Sequence, residues 1–445
     1  MMADALKVGI AGLGTVGASL VRIISARANE LSITCGRAIE ITAVSARDRS
    51  RDRGLDLDLS GIAWFDTPEA MAQEADIDVF VELIGGAEGA ADTSVRAALR
   101  RGLHVVTANK ALLARHGMEF AALAEDRGVL LNFEAAVAGG IPVIKALRES
   151  LTGNKVSRIY GIMNGTCNYI LTRMEKEGLT FEDCLAEAQR LGYAEADPAF
   201  DIEGNDTAHK LAILTTLAFG TQIAADQIYL EGISNISIED IEAAADLGYR
   251  IKLLGVAQRT ETGIEQRVHP TMVPRDSVIA QVDGVTNAVA IESDILGELL
   301  MVGPGAGGDA TASAVLGDIA DIAKSRPGEQ RVPVLGTPAK ALAPYVRARM
   351  RSHEGGYFIR LTVADRTGVF ASVASRMAEN NISLESIVQR AASQTVAEAR
   401  DSKTIILVTH ATTEESVRNA VAAIKAESYL VGEPQVIRIE RPKAF

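Results

Sequence analysis

The chain starts with a short apolar run of the kind that forms a buried strand, residues 7–11. It passes at once through Gly12, Gly14 and Gly17 into Leu20, Val21, Ile23 and Ile24, spaced as one face of a helix. Further strand-like runs follow at 39–44, 78–84, 104–108 and 129–133. Alanine-rich helical stretches at 69–74, 93–101 and 118–126 separate them. Strands alternating with helices predict a parallel sheet with right-handed crossovers: an α/β, doubly wound, Rossmann-like domain over residues 1–134.

Past residue 135 the rhythm changes. Helical patterns at 168–176, 181–191 and 206–219 are set apart by polar loops, and strands are expected at 156–163 and 263–273. This predicts a second, α+β domain over 135–302, with a segment of about 303–325 returning to complete the first. Residues 326–355, rich in proline and arginine, read as a linker or wrapping segment. From 356 to 445 the order is strand 357–364, helix 369–380, strands 382–389 and 403–410, helix 414–426 and strand 435–440. That βαββαβ succession predicts a small ferredoxin-like sandwich.

The length, 445 residues, agrees with three domains at about 150 residues each. A formal charge of −13 with no long basic block argues against nucleic acid or an anionic membrane as partner, so small molecules are expected. Neither a leader-like start nor an apolar run long enough to span a bilayer is found. Three irregularly spaced cysteines, Cys35, Cys167 and Cys184, fit a reducing cytoplasm better than a disulfide framework or a zinc site.

GLGTVG, residues 12–17, matches the G-x-G-x-x-G pattern between a predicted strand and a predicted helix. There glycines allow the tight turn and let backbone N–H groups, including those of Thr15 and Val16, approach a pyrophosphate. A second glycine run, Gly303, Gly305 and Gly308, also opens a helix and reads either as a loop edging the cofactor or as a plain capping turn. The second strand runs into Ser45, Ala46, Arg47 and Asp48, followed by Arg49, Arg51 and Arg53. A hydroxyl with Arg47 favours the 2′-phosphate of NADP(H), while Asp48 leaves NAD(H) open.

Thr107, Asn109 and Lys110 fall at the carboxyl end of a predicted strand, where ligands of open α/β sheets bind. The most informative stretch runs from Gly192 through Tyr193, Glu195 and Asp197 to Asp201, Glu203, Asp206 and Lys210. With Asn205 or Asp206 as N-cap, Asp206 and Lys210 stand one turn apart above an apolar stripe of Ile213 and Leu217. A half-buried lysine held as ammonium by a carboxylate is a proton donor; the plainer alternative is a surface ion pair. The acidic loop lacks the EF-hand arrangement for calcium. Cys167 could begin a helix as a thiolate, but no histidine lies nearby in sequence to serve as its base.

Taken together, GLGTVG, TANK, NGTCNYIL, GYAEADPAFDIEGNDTAHKL and GPGAGGDATASAV resemble the homoserine dehydrogenase family over residues 1–325, and the region from Tyr357 resembles an ACT domain. The resemblance implies reversible NAD(P)H-dependent reduction of L-aspartate 4-semialdehyde to L-homoserine, by homodimers that could pair further into tetramers through their ACT domains. It implies Lys210 as proton donor, Lys110 touching cofactor and substrate, Glu195 binding the substrate amino group, and Asp201 and Asp206 ordering the pocket with Tyr193. It further implies a monovalent-cation loop at Glu134, Val137, Gly139 and Ile141, the last three through backbone oxygens. An ACT effector, L-threonine, is expected near Asp365 and Gly368. Two rivals remain at this stage: a semialdehyde dehydrogenase using Cys167 or Cys184, and an inactive nucleotide and amino-acid sensor.

Overall fold

The computed structural model describes residues 4–53, 61–325, 332–348, 354–391 and 402–440. Six strands, Ala63–Phe65, Ile39–Ser45, Leu6–Ala11, Val79–Glu82, His104–Thr107 and Leu131–Asn132, lie side by side in that order, all parallel. The winding direction reverses between Leu6–Ala11 and Val79–Glu82, so the crevice outside their carboxyl ends is where a nucleotide belongs in such a sheet. Val8, Ile10, Val79 and Val81 are wholly buried, as expected of strands covered by helices on both faces. The helix Gly308–Lys324 packs beside Thr15–Ala26, so residues 308–324 return to the first lobe.

The strand expected at 78–84 is shorter, Val79–Glu82. Glu82, fully buried, draws the chain out of the sheet because its carboxylate accepts the amides of Ile84 at 2.7 Å and Gly85 at 3.0 Å. Between the third and fourth helical stretches the match is closer, although the helix expected at 118–126 begins at Lys110.

The second sheet departs most from expectation. Among the described residues it has eleven strands, and its main path runs Gly297–Pro304, Thr286–Ser293, Val156–Ile162, Tyr249–Thr260, Gly263–Pro274, Gln435–Ile439, Glu354–Ala364, Ser402–Thr409 and Leu384–Ala391. Tyr249–Thr260, Thr286–Ser293 and Gly297–Pro304 lie in stretches where no strand was expected. The last four strands are those of the C-terminal ferredoxin-like sandwich. They join the substrate-side strands through a parallel pairing of Thr271 with Arg438 and Met272 with Ile439, and the Glu440 backbone N–H donates to the Met272 carbonyl at 2.9 Å. The two domains therefore share one hydrogen-bonded sheet.

Part of the predicted linker lies outside the described residues, including Arg326, Pro327 and Gly328. Its described part wraps: Val334, Leu335 and Leu342 are buried, and isolated bridges tie Ala343 to Thr221 and Arg347 to Ile264.

Candidate active site

The helix Asn205–Phe219 carries Asp206 and Lys210. Its N-cap is neither Asn205 nor Asp206, as the sequence suggested, but Gly204, held at φ 88°. A left-handed glycine turns the chain sharply out of the preceding short helix Ala199–Ile202, which frees the Asp206 carboxylate from capping. The helix is also buried on more than one stripe, since Leu211, Ile213, Leu214 and Thr216 are all wholly enclosed. Gly255 of the strand beneath makes this possible, because a Cβ there would stand 2.9 Å from Thr207.

From the other lobe comes the helix Lys110–Arg127, capped by Asn109, whose side chain accepts the Leu112 amide at 3.0 Å. Its first residue meets the second lobe. Lys110 Nζ lies 2.7 Å from Asp206 Oδ1, and Lys210 Nζ lies 2.7 Å from Asp206 Oδ2. Lys210 also donates to the Met163 carbonyl at 2.7 Å, which uses two of its three N–H donors. Asn164 donates to Asp201 at 2.8 Å and to Asp206 at 3.0 Å, linking the two acids. One carboxylate thus holds ammonium groups contributed by two lobes.

The electrostatics follow from burial. Lys210 is only 7% exposed, and burial pulls its pKa down, against the opposing charge of Asp206. Burial also penalises the Asp206 carboxylate, yet the two lysines outweigh it and hold its pKa well below the ordinary range. Asp201 moves the other way, raised by burial and by the neighbouring Asp206 charge. The result is a desolvated ammonium with a lowered pKa and a spare donor, suited to giving a proton to a developing alkoxide.

On the nucleotide side, Gly12 lies at φ 103° with no room for a side chain, since a Cβ would stand 2.4 Å from the Leu83 carbonyl oxygen. Gly14, by contrast, faces open space at the N-terminus of the helix bearing Thr15, Val16 and Gly17. This is a cradle that a phosphate can enter, with free N–H groups at its rim. Thr107 is buried and donates to Glu82 at 2.5 Å. Glu82 thereby positions the strand end and the 84–86 turn together, a role the sequence reading missed because nothing local distinguishes a glutamate ending one strand from any other. Gly303 lies within the strand Gly297–Pro304, and the turn itself starts at Gly305. Gly308 then lies against Thr15 and Ser19. Arg47 is exposed, whereas Arg53 is tied to the Leu13 carbonyl at 3.1 Å and stacks with Arg49 on Trp64.

Among the described residues, no hydrogen bond or ion pair joins the other expected residues to the two lysines. Glu195 is exposed, and its backbone oxygen accepts from Gln189 at 3.0 Å. Tyr193 is 44% exposed and meets Tyr169 edge-on. Glu134 is buried, its carboxylate accepting the amides of Ile144 at 2.7 Å and Lys145 at 2.9 Å. Val137 and Ile141 are buried nearby, and Gly139, at φ 54°, abuts Gly305. Asp365 and Gly368 occupy an exposed loop far along the chain, Asp365 facing Lys403 at 3.5 Å and Gly368 starting a helix at φ 92°.

Cys167 is fully buried and donates to the Asp201 carbonyl at 3.3 Å; burial, reinforced by the nearby acids, pushes its thiol well up. Burial pushes Cys184 up to about 11. Neither is a thiolate at neutral pH. Replacing both with alanine is expected to leave most of the turnover in the folded enzyme, and a folded double variant without turnover would instead assign the chemistry to sulfur.

Family models match the chain in three places: homoserine dehydrogenase over residues 142–320, homoserine dehydrogenase NAD binding domain over 12–134, and ACT domain over 357–428. A homoserine dehydrogenase of Pseudomonas aeruginosa is 46% identical, covering 98% of this chain and 99% of the relative. One from Neisseria gonorrhoeae is 45% identical, with 98% of each covered. Among solved structures, a homoserine dehydrogenase from Thiobacillus denitrificans superimposes with a TM-score of 0.91 at 42% identity, covering 99% of each chain. A hyperthermophilic archaeal homoserine dehydrogenase in complex with NADPH matches 71% of this chain and 96% of its own, with a TM-score of 0.60 at 29% identity.

Proposed function

Because the chain belongs to the homoserine dehydrogenase family, an oxidoreductase family with a nicotinamide-binding lobe, we propose how its residues interconvert L-aspartate 4-semialdehyde and L-homoserine. The observation that carries this reading is the convergence of Lys110 and Lys210, from separate lobes, on Asp206. When bound, the nicotinamide supplies or accepts the hydride. The spare N–H of Lys210 takes the substrate carbonyl oxygen, stabilises the alkoxide and protonates it. Lys110, at the lobe boundary, fixes the substrate against the nucleotide side, and Asp206 keeps both ammonium groups aimed. Glu195 takes the substrate amino group, with Asp201 and Tyr193 completing the pocket.

The pH dependence follows with a definite sign. Homoserine oxidation needs Lys210 uncharged, so its rate rises with pH, with a midpoint below the ordinary lysine value of about 10.4, as burial dictates. Asp206 favours the charged form of Lys210. Asp206→Asn is therefore expected to move the rising limb of the residual activity to still lower pH, and a shift to higher pH would contradict the assigned pairing.

NADP(H) is the preferred cofactor in this reading, with Arg47 and Ser45 receiving the 2′-phosphate; Gly12, Gly14, Thr15, Val16, Gly17, Thr107, Lys110 and Gly303 line the remainder of the nucleotide path. A guanidinium–phosphate contact is a charge-assisted hydrogen bond. Arg47→Ala should therefore raise KM for NADPH about tenfold or more while changing KM for NADH little; equal changes would remove Arg47 from this role. A monovalent cation, sodium or potassium, would be held by Glu134 and the backbone oxygens of Val137, Gly139 and Ile141. The enzyme works in the cytoplasm as a homodimer, extended to a tetramer through its C-terminal domains, and L-threonine binds the loop at Asp365 and Gly368 as a feedback inhibitor. Steady-state oxidation of homoserine with NAD and with NADP, in the presence and absence of threonine, tests the reaction, the cofactor and the effector together.

A further inference from the structure

A cavity of about 610 Å³ lies where the C-terminal sandwich meets the substrate lobe, and none of its lining residues belongs to the site described above. Tyr229 and Glu231 from the lobe face Tyr357, Glu414 and Arg418 from the sandwich. Two of these groups are chemically incomplete. Tyr357 is 2% exposed, and its hydroxyl finds no hydrogen-bond partner among the described residues. Such an orphan is costly and calls for an explanation.

Glu231 is the second. The carboxylate of Glu414 is neutralised by Arg267 at 2.5 Å and by Arg438. Glu231 has no such cation among the described residues; its contact is the Tyr229 hydroxyl at 3.3 Å. Burial and the charge of Glu414 accordingly raise its pKa. An uncompensated carboxylate and an unpartnered hydroxyl lining the same cavity are the acceptors an ammonium group requires. Arg418 stands one helical turn from Glu414 with no partner among the described residues, free to take a carboxylate. Val417 and Val421 add an apolar wall from the same helix.

We propose that this junction cavity binds a free α-amino acid with an aliphatic side chain, its ammonium held by Glu231 and the Tyr357 hydroxyl and its carboxylate by Arg418. The site is separate from the loop at Asp365 and Gly368. It lies against Gly263–Pro274, the strand that joins the two domains and supplies Arg267, so occupancy would tighten the junction. That strand pairs with Tyr249–Thr260, on which the catalytic helix rests.

Calorimetric titration of the full chain with L-valine, L-isoleucine, L-leucine and L-methionine tests this. At least one of the four is expected to bind, with its Kd raised tenfold or more by Glu231→Gln and by Tyr357→Phe, and unchanged by Asp365→Ala. Isobutylamine and isobutyrate, each carrying one end of the ligand, should bind more weakly than valine. Tyr357→Phe removes only one hydroxyl, so it reads the contact even if Glu231→Gln should disturb the junction. Absence of binding by all four, or isotherms left unchanged by both cavity substitutions, overturns the proposal. Basal homoserine turnover, expected to be unaltered by Glu231→Gln and by Tyr357→Phe, is measured alongside and tests the catalytic reading independently.

Discussion

Lys210→Ala is expected to fold, to bind NADPH and to turn over at least about a hundredfold more slowly than the parent enzyme. The fold survives because the substitution does not strand a charge: Asp206 keeps its second partner, Lys110, at 2.7 Å. Asn164 also continues to donate to it. What disappears is the proton donor, together with the positive charge facing the alkoxide in an enclosed site. Both act on the transition state more than on the bound aldehyde, so kcat should fall while KM moves little. Arginine is a poor substitute, since its planar fork cannot occupy the space of a single ammonium enclosed by Met163 and Asp206. Steady-state kinetics with NADPH binding measured separately decides the matter, and turnover near the parent value would sink the catalytic assignment.

Gly17→Ala should abolish most NADPH binding by a different route. An added Cβ would stand 2.0 Å from the Gly12 carbonyl oxygen and 3.0 Å from its carbon. Both are backbone atoms that cannot rotate aside, so the helix must lift from the turn, at a cost of about 1–3 kcal/mol. Lifting it misdirects the N–H groups at its end, and the Kd for NADPH should rise at least about tenfold. Gly14→Ala is the informative counterpart. Its Cβ meets nothing within 4 Å, so thermal stability should hold while cofactor affinity falls through collision with the phosphate. A Gly17→Ala enzyme with normal stability and normal affinity would show that the turn is looser than this geometry.

Local pattern carried the nucleotide lobe and the C-terminal sandwich, because each is built of elements whose period and punctuation lie within a few tens of residues. It also carried the spacing of Asp206 and Lys210, a one-turn pair on one helix. Two kinds of feature were out of reach. Tyr249–Thr260 is a strand that does not read as one: Arg250 and Lys252 interrupt its apolar run, and only the fold reveals that Glu175, Asp283 and the Val282 carbonyl satisfy them. The meeting of Lys110 with Asp206 spans two lobes, and no periodicity encodes a contact at that separation. Glu82 and Asn164 escaped for the same reason, since each matters through what it bridges.

The parallel pairing of Thr271 and Met272 with Arg438 and Ile439 makes the C-terminal domain a cover for a ladder as well as the proposed sensor. Cutting the chain after Ser325 would bare the backbone groups at Thr271 and Met272 that this pairing covers, an opened edge that invites self-association. On the proposed threonine regulation, a shortened enzyme that fails to respond would then report on a damaged border as much as on a missing ligand. Point substitutions that keep the ladder intact are the cleaner way to silence the sensor.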